Sequence, residues 1–158
     1  MQDSFSTFGK YLSICDRLMR MYYDHGLSAF EIGWGQQFYV EYLYDHPGAS
    51  PQEMAACIRV DKGTLTKIIK KLTEVGYLQV VGDARDRRVK HLYLTEKAIP
   101  AAQQIKRIHA EFYSTLSAGI PPENLTLTEQ TLRHIADHLS QQVGKGNGRS
   151  RKGEEDLP

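Results

Sequence analysis

Cysteine is scarce. Cys15 and Cys57 are the only two in 158 residues, too few for a disulfide framework. No stretch approaches the ~18 apolar residues of a membrane span. The opening MQDSFSTFGK lacks the basic start and apolar run of a secretory leader, so the expected compartment is the cytoplasm. Overall charge of one sign is missing too: 20 Lys+Arg face 19 Asp+Glu, a net +1. There is no phosphate-cradling glycine loop, no nucleophile elbow, and no recognisable paired-carboxylate or Ser/His/Asp constellation. Nothing therefore points to an enzyme. His134 and His138 stand four apart on a predicted helix, but the His-Glu-x-x-His pattern is absent and no Cys or Glu is clearly placed to complete a site. Neither a metal nor a cofactor is expected. What remains is an ordinary 41% hydrophobic content, enough for the core of one domain with an extension.

The charge that is present is unevenly placed. Residues 59–91 hold nine Lys/Arg against four Asp/Glu, a local +5 that leaves −4 for the rest of the chain. Such asymmetry is the footprint of a surface for polyanions. Within it, Asp61 is placed to cap a helix, and Leu65, Ile68, Ile69 and Leu72 recur at helical spacing as its buried stripe. The opposite side carries Gly63, Lys67 and Lys70, flanked by Thr64, Thr66 and Lys71, and Gly76 ends the helix. Two β-prone runs follow, 77–81 and 89–94. Between them lies the polar turn Gly82-Asp83-Ala84-Arg85-Asp86-Arg87-Arg88. A basic helix beside a basic hairpin is the layout of a winged helix-turn-helix.

The flanks are helical. Phe8, Tyr11, Leu12, Cys15, Leu18, Met19 and Tyr22 predict a wide apolar face on a helix over 5–24. A second, aromatic-rich helix over 36–45 stops at His46-Pro47-Gly48. Ser50-Pro51-Gln52-Glu53 is a helix start with Ser at N-cap, Pro at N1 and Glu at N3, and Cys57 near its end is expected to be packed. Thr95 is expected to cap a fifth helix over 96–118, with its start displaced by Pro100. Thr126-Leu127-Thr128-Glu129 reads as a capping box opening the last helix. From Gly144 the glycine-rich, charged GKGNGRSRKGEEDLP has almost nothing to bury and is expected to be disordered. The organisation predicted is an N-terminal helix and connector (1–34), a winged helix-turn-helix lobe (35–95), C-terminal helices (96–143) and a tail (144–158). The fold class is mainly α with a small β-hairpin wing.

The segment YLYDHPGASPQEMAACIRVDKGTLTKIIKKLTEVGYLQVVGDARDRRVKHLYLTEKA closely resembles the multiple-antibiotic-resistance regulator (MarR) family of bacterial transcription factors. The likeness lies in the Pro-Gly turn, the Ser-capped supporting helix, the Asp-Lys-Gly-Thr opening, the Lys-Lys-Leu…Gly-Tyr-Leu exit, the arginine wing and the Leu-Thr-Glu-Lys closure. It covers about 36–98 well and both flanks more loosely. Ala98 departs from the glycine usual after Leu-Thr-Glu-Lys. The resemblance implies a homodimer whose first and last two helices interlock as terminal dimerisation helices. It also implies ligands bound between that base and the winged lobes.

An α-helix fits the major groove, where base edges differ in donors and acceptors, and a dimer spans a near-palindromic operator. Base-edge or near-base contacts are assigned to Thr64, Thr66, Lys67 and Lys62. Lys70 and Lys71 lie further down the helix, towards phosphate. Ser50 and Gln52 open the supporting helix, whose amides can hold a phosphate. By the resemblance, Arg88 reaches into the minor groove, Asp86 orients it, and Arg85 and Arg87 contact backbone. The expected function is a sequence-specific regulator binding double-stranded DNA, a repressor relieved by a small molecule.

An amphipathic wall of Tyr22, Tyr23, Tyr39, Tyr42 and Tyr44 with Trp34 suits a small aromatic or phenolic effector; Tyr22, Tyr39 and Tyr42 are the candidate ligand residues. Each ring taken singly also fits a core or dimer-interface position. Cys15 falls where the family's organic-hydroperoxide-sensing branch keeps its reactive thiol, which makes a redox-sensing regulator an alternative. Without that branch's typical surroundings, a buried, inert thiol is the competing reading. A winged helix serving protein or RNA contacts is the other alternative; such modules often lose the basic helix face or the arginine wing, and this chain keeps both.

Overall fold

The computed structural model describes residues 2–86 and 88–149. In order these form α1 (Gln2–Gly26), α2 (Trp34–Asp45), α3 (Pro51–Ile58), α4 (Lys62–Glu74), β1 (Leu78–Gly82), β2 (Lys90–Leu94), a 3-10 turn Glu96–Ala98, α5 (Ile99–Ser117) and α6 (Pro122–Arg149). The two strands pair antiparallel with Val80 opposite Leu92, so the fold is helical with one hairpin, as expected. Among the described residues no helix is long and apolar enough to cross a membrane.

Two compact units divide the chain, Met1–Glu111 and Phe112–Pro158. The first holds the core. Leu27, Val40, Leu43, Met54, Leu72, Leu92, Ile105 and Ile108 are sealed from solvent, which joins α2, α3, α4, the hairpin and α5 around shared apolar volume. On α4 the stripe splits: Leu65 and Leu72 are buried while Ile68 and Ile69 are half-buried. In α1, by contrast, Phe8, Tyr11, Leu12, Leu18, Met21 and Tyr22 stand exposed. In the second unit Tyr113, Leu116, Leu127, Leu132 and Leu139 are exposed as well.

Several local expectations are corrected by the structure. α2 begins at Trp34, two residues early, because Asp24 Oδ1 accepts from the Trp34 amide (2.7 Å) and Gln36 Oε1 from the Gly33 amide (3.0 Å). Thr95 does not cap with its side chain. Its hydroxyl donates to the Gly76 carbonyl at 2.6 Å, tying the end of the hairpin to the exit of α4, and a 3-10 turn precedes α5. Pro100 thus sits in the first turn of a displaced helix, where a missing amide costs little. α6 starts at Pro122 rather than Thr126, since proline suits a helix's first position. The Thr126 and Thr128 hydroxyls instead donate back to the Pro122 and Asn124 carbonyls at 3.1 and 2.7 Å. The same helix runs on to Arg149 through residues expected to be disordered. Extending an existing helix adds one hydrogen bond per residue without a new nucleation cost. The remainder of the expected tail, 150–158, lies outside the described residues. Cys57 is exposed, not packed, beside the Phe38, Tyr42 and Ile58 side chains of an open cavity, and Cys15 is exposed rather than buried, like Tyr11, Leu12 and Leu18 of α1.

Gln37 on α2 is fully buried, and neither its amide nitrogen nor its oxygen has a hydrogen-bond partner among the described residues. A buried unpaired amide costs free energy that an apolar side chain of similar volume does not. Gln37→Leu is expected to stabilise the fold by about 1–3 kcal/mol, read as a higher urea midpoint at unchanged slope. A lower midpoint would show that the amide is satisfied in solution.

Candidate nucleic-acid interface

The outward face of α4 is built by its own cap. Asp61 Oδ1 accepts from the Thr64 amide at 2.9 Å, and Oδ2 accepts from the Thr64 hydroxyl at 2.6 Å. The Thr64 hydroxyl and amide hold the Asp61 carboxyl below the usual aspartate range. The Thr66 hydroxyl donates to the Lys62 carbonyl at 2.7 Å. Both threonines therefore have their hydroxyl protons engaged and present lone pairs outward, as acceptors. Lys62, Gly63, Lys67, Lys70 and Lys71 are exposed alongside them, with Lys70 3.8 Å from Glu74 one turn on.

Beside it, α3 opens with a complete capping box. Ser50 Oγ accepts from the Glu53 amide (3.2 Å), and Glu53 Oε2 accepts from the Ser50 amide (2.7 Å) and hydroxyl (2.8 Å). The Ser50 hydroxyl is thus committed to the cap, while Gln52 stays exposed. Those bonds from Ser50 hold the Glu53 carboxyl below its ordinary value.

The wing is shaped by two aspartates. Asp83 Oδ1 accepts from the amides of Arg85 and Asp86 at 2.7 and 3.1 Å, a side-chain turn of the kind aspartate favours. Asp86 Oδ1 accepts from the Arg88 amide at 3.0 Å and lies 3.9 Å from Arg88 Nε. The Arg88 side chain is 96% exposed, Arg85 is exposed as well, and Arg87 lies outside the described residues. One open cleft is lined by Pro51, Gln52, Ala55, Lys62, Leu65, Arg88 and Lys90. It brings the start of α3, the start of α4 and the wing onto a common surface. Lys90 on β2 and Asp83 were missed as site residues; Asp83 carried a local signal, being an aspartate two before Arg85 in a polar turn.

The depressed pKa values of Asp61, Glu53 and Asp83 fix the sign of a pH effect. Each contributes stability above its unfolded value and loses it as pH falls through the lower folded value. The thermal midpoint is expected to fall below about pH 4. Asp61→Ala should show a shallower fall in the same circular-dichroism series, and an equally steep fall would remove Asp61 as a contributor.

The tyrosines do not form one wall. Tyr23 is buried against Trp34 (ring centroids 5.1 Å) and His109 (5.4 Å), and burial, then Glu41, push its hydroxyl up to about 12. Tyr39 is buried and Tyr22 is exposed on α1. Only Tyr42, among the three candidate ligand residues, lines a described cavity, with Phe38, Glu41, Asp45, His46, Cys57 and Ile58; its ring stacks on His46 at 4.5 Å. Glu41 and Asp45 there are paired with His109 (2.9 Å) and Lys106 (2.7 Å). The described residues contain no group of three or more His, Cys, Asp or Glu placed to hold a metal.

Two helices joined by a tight turn, followed by a paired hairpin with a basic cleft between them, define a winged helix-turn-helix protein. The MarR family model matches residues 38–89, which cover α3, α4 and most of the wing. The chain is 27% identical over 118 residues to an uncharacterized HTH-type transcriptional regulator, YybA, of Bacillus subtilis (strain 168), covering 73% of this chain and 79% of that protein. A MarR transcriptional regulator from Methanosarcina mazei Go1 superposes with a TM-score of 0.71 at 26% identity, over 85% of this chain and 97% of that one. Streptococcus pneumoniae FabT, solved in complex with DNA, shares the fold at a TM-score of 0.72 and 21% identity, over 87% and 99%. Residues 38–89 thus carry a MarR-type segment, and the relatives that the chain resembles over most of its length are named as transcriptional regulators.

Proposed function

We propose that this regulator binds duplex DNA sequence-specifically, as a homodimer on a near-palindromic operator, and represses transcription until a small molecule releases it. The observation that carries the reading is the shared cleft of Gln52, Lys62, Arg88 and Lys90: two helix starts and a wing present one cationic surface. In this reading α4 enters the major groove with Lys62, Thr64, Thr66 and Lys67 towards base edges, the two hydroxyls accepting from base amino groups. Lys70 and Lys71 meet phosphate, as do Gln52 and the α3 amides beside Ser50. Arg88, steered by Asp86, enters the minor groove, with Arg85 and Arg87 on the backbone. The apolar side chains exposed on α1, and separately those on α6, support a second copy as their cover. A chromosomal partner implies the cytoplasm. For the effector, the cavity at Tyr42 favours a small aromatic molecule, since Phe38 and the Tyr42 ring offer flat apolar contact.

Selection of bound duplexes from genomic fragments tests the reading. Enrichment of a motif with half-sites about 10 bp apart, bound by a species of twice the chain mass, is expected. Recovery of fragments without a common sequence, or binding by a lone chain, contradicts it.

A further inference from the structure

His91, the second residue of β2, is where the wing meets the body of the lobe. Its Nδ1 lies 2.9 Å from the Gly48 carbonyl oxygen, in the turn between α2 and α3, and its Nε2 lies 3.4 Å from Asp83 Oδ2 at the wing's first bend. Both partners only accept. A neutral imidazole has one N–H and satisfies one of them; the imidazolium donates to both. The remaining Asp83 oxygen takes the Arg85 and Asp86 amides, and Asp86 takes the Arg88 amide. A continuous path of bonds thus runs from the Gly48 turn to the backbone that carries Arg88. Gly48 itself has φ +83, and a Cβ there would fall 2.8 Å from the Tyr93 hydroxyl, so the turn that offers this carbonyl is closed to larger residues.

We propose that His91 and Asp83 are positioning residues for the arginine wing: the doubly donating form of His91 fixes the wing root to the Gly48 turn and so holds Arg88 in register with the start of α4. This rests on the DNA-binding reading above. The groups facing His91 agree in sign. The Gly48 carbonyl, then Asp83, raise its pKa, with Glu53 from α3 adding to the effect. Lys90 is the neighbouring strand residue, on the alternate face, and Tyr93 shares the face of His91. Operator affinity is therefore strengthened below His91's raised folded pKa and weakened as pH rises through it.

The test uses the full chain, with and without a selected duplex. In the free protein, imidazole and amide NMR signals are followed from pH 5 to 8.5. The amides of Asp83, Arg85, Asp86 and Arg88 are expected to titrate with the His91 midpoint, to lose that titration in His91→Gln, and to follow a lowered midpoint in Asp83→Asn. At constant ionic strength, wild-type affinity for the duplex should fall about three- to tenfold from pH 6 to pH 8, the scale of one exposed hydrogen bond, and this step should vanish in His91→Gln. Wing amides indifferent to His91, or an unchanged pH profile in His91→Gln, would overturn the proposal. If instead no duplex is enriched while the wing amides still follow His91, the DNA-binding reading has failed and the wing coupling has not.

Discussion

Arg88→Ala is expected to lower operator affinity by about one to two orders of magnitude, the scale of losing a groove-inserted arginine, while leaving the thermal midpoint nearly unchanged. The two halves of this expectation have separate causes. In the free chain the Arg88 side chain is 96% exposed, and its described ion pair, with Asp86, is 3.9 Å long; an exposed pair of that kind contributes little to folding. Against DNA the same guanidinium is confined where a narrow minor groove concentrates negative potential. Fluorescence anisotropy at fixed salt measures the affinity and thermal unfolding measures the control. A variant binding as tightly as wild type would take the wing out of the interface.

Leu92→Ala is expected to cost about 2–5 kcal/mol of stability, as deletions of sealed core leucines do. Leu92 is wholly buried at the centre of β2, and its backbone joins the hairpin to the lobe: the Gly48 amide donates to its carbonyl at 2.8 Å and its amide donates to the Ala49 carbonyl at 3.0 Å. The side chain is thus the apolar pin behind the polar link at His91. Urea unfolding reads the loss, and a change under about 1 kcal/mol would mean that the wing root is not held by this core.

What could be read in the sequence was what short range determines. Asp61 caps α4, Ser50 and Glu53 close a reciprocal box, and the Leu65–Leu72 stripe turns inward, because each depends on residues within about two turns of its own position. The hairpin was likewise marked by two β-prone runs around a charged turn. Long-range contacts erased other signals. Thr95 satisfies the Gly76 carbonyl across the hairpin instead of capping the next helix, and Asp24 starts α2 from ten residues away. The tyrosines shared a composition but not a surface: Tyr23 and Tyr39 went into the core while Tyr42 lines a cavity. In the candidate site, the charged residues stood out by number, whereas His91 did not. Its importance lies in an approach to Gly48, 43 residues earlier, which no periodicity announces.

Hydrogen–deuterium exchange of the full chain, with and without a selected operator duplex, tests the common cationic face most directly. Protection is expected to rise together at the start of α3, along the exposed side of α4 and in the wing around Arg85–Lys90. Protection confined to one of these elements, or centred on the Tyr42 cavity with the wing unchanged, would contradict it.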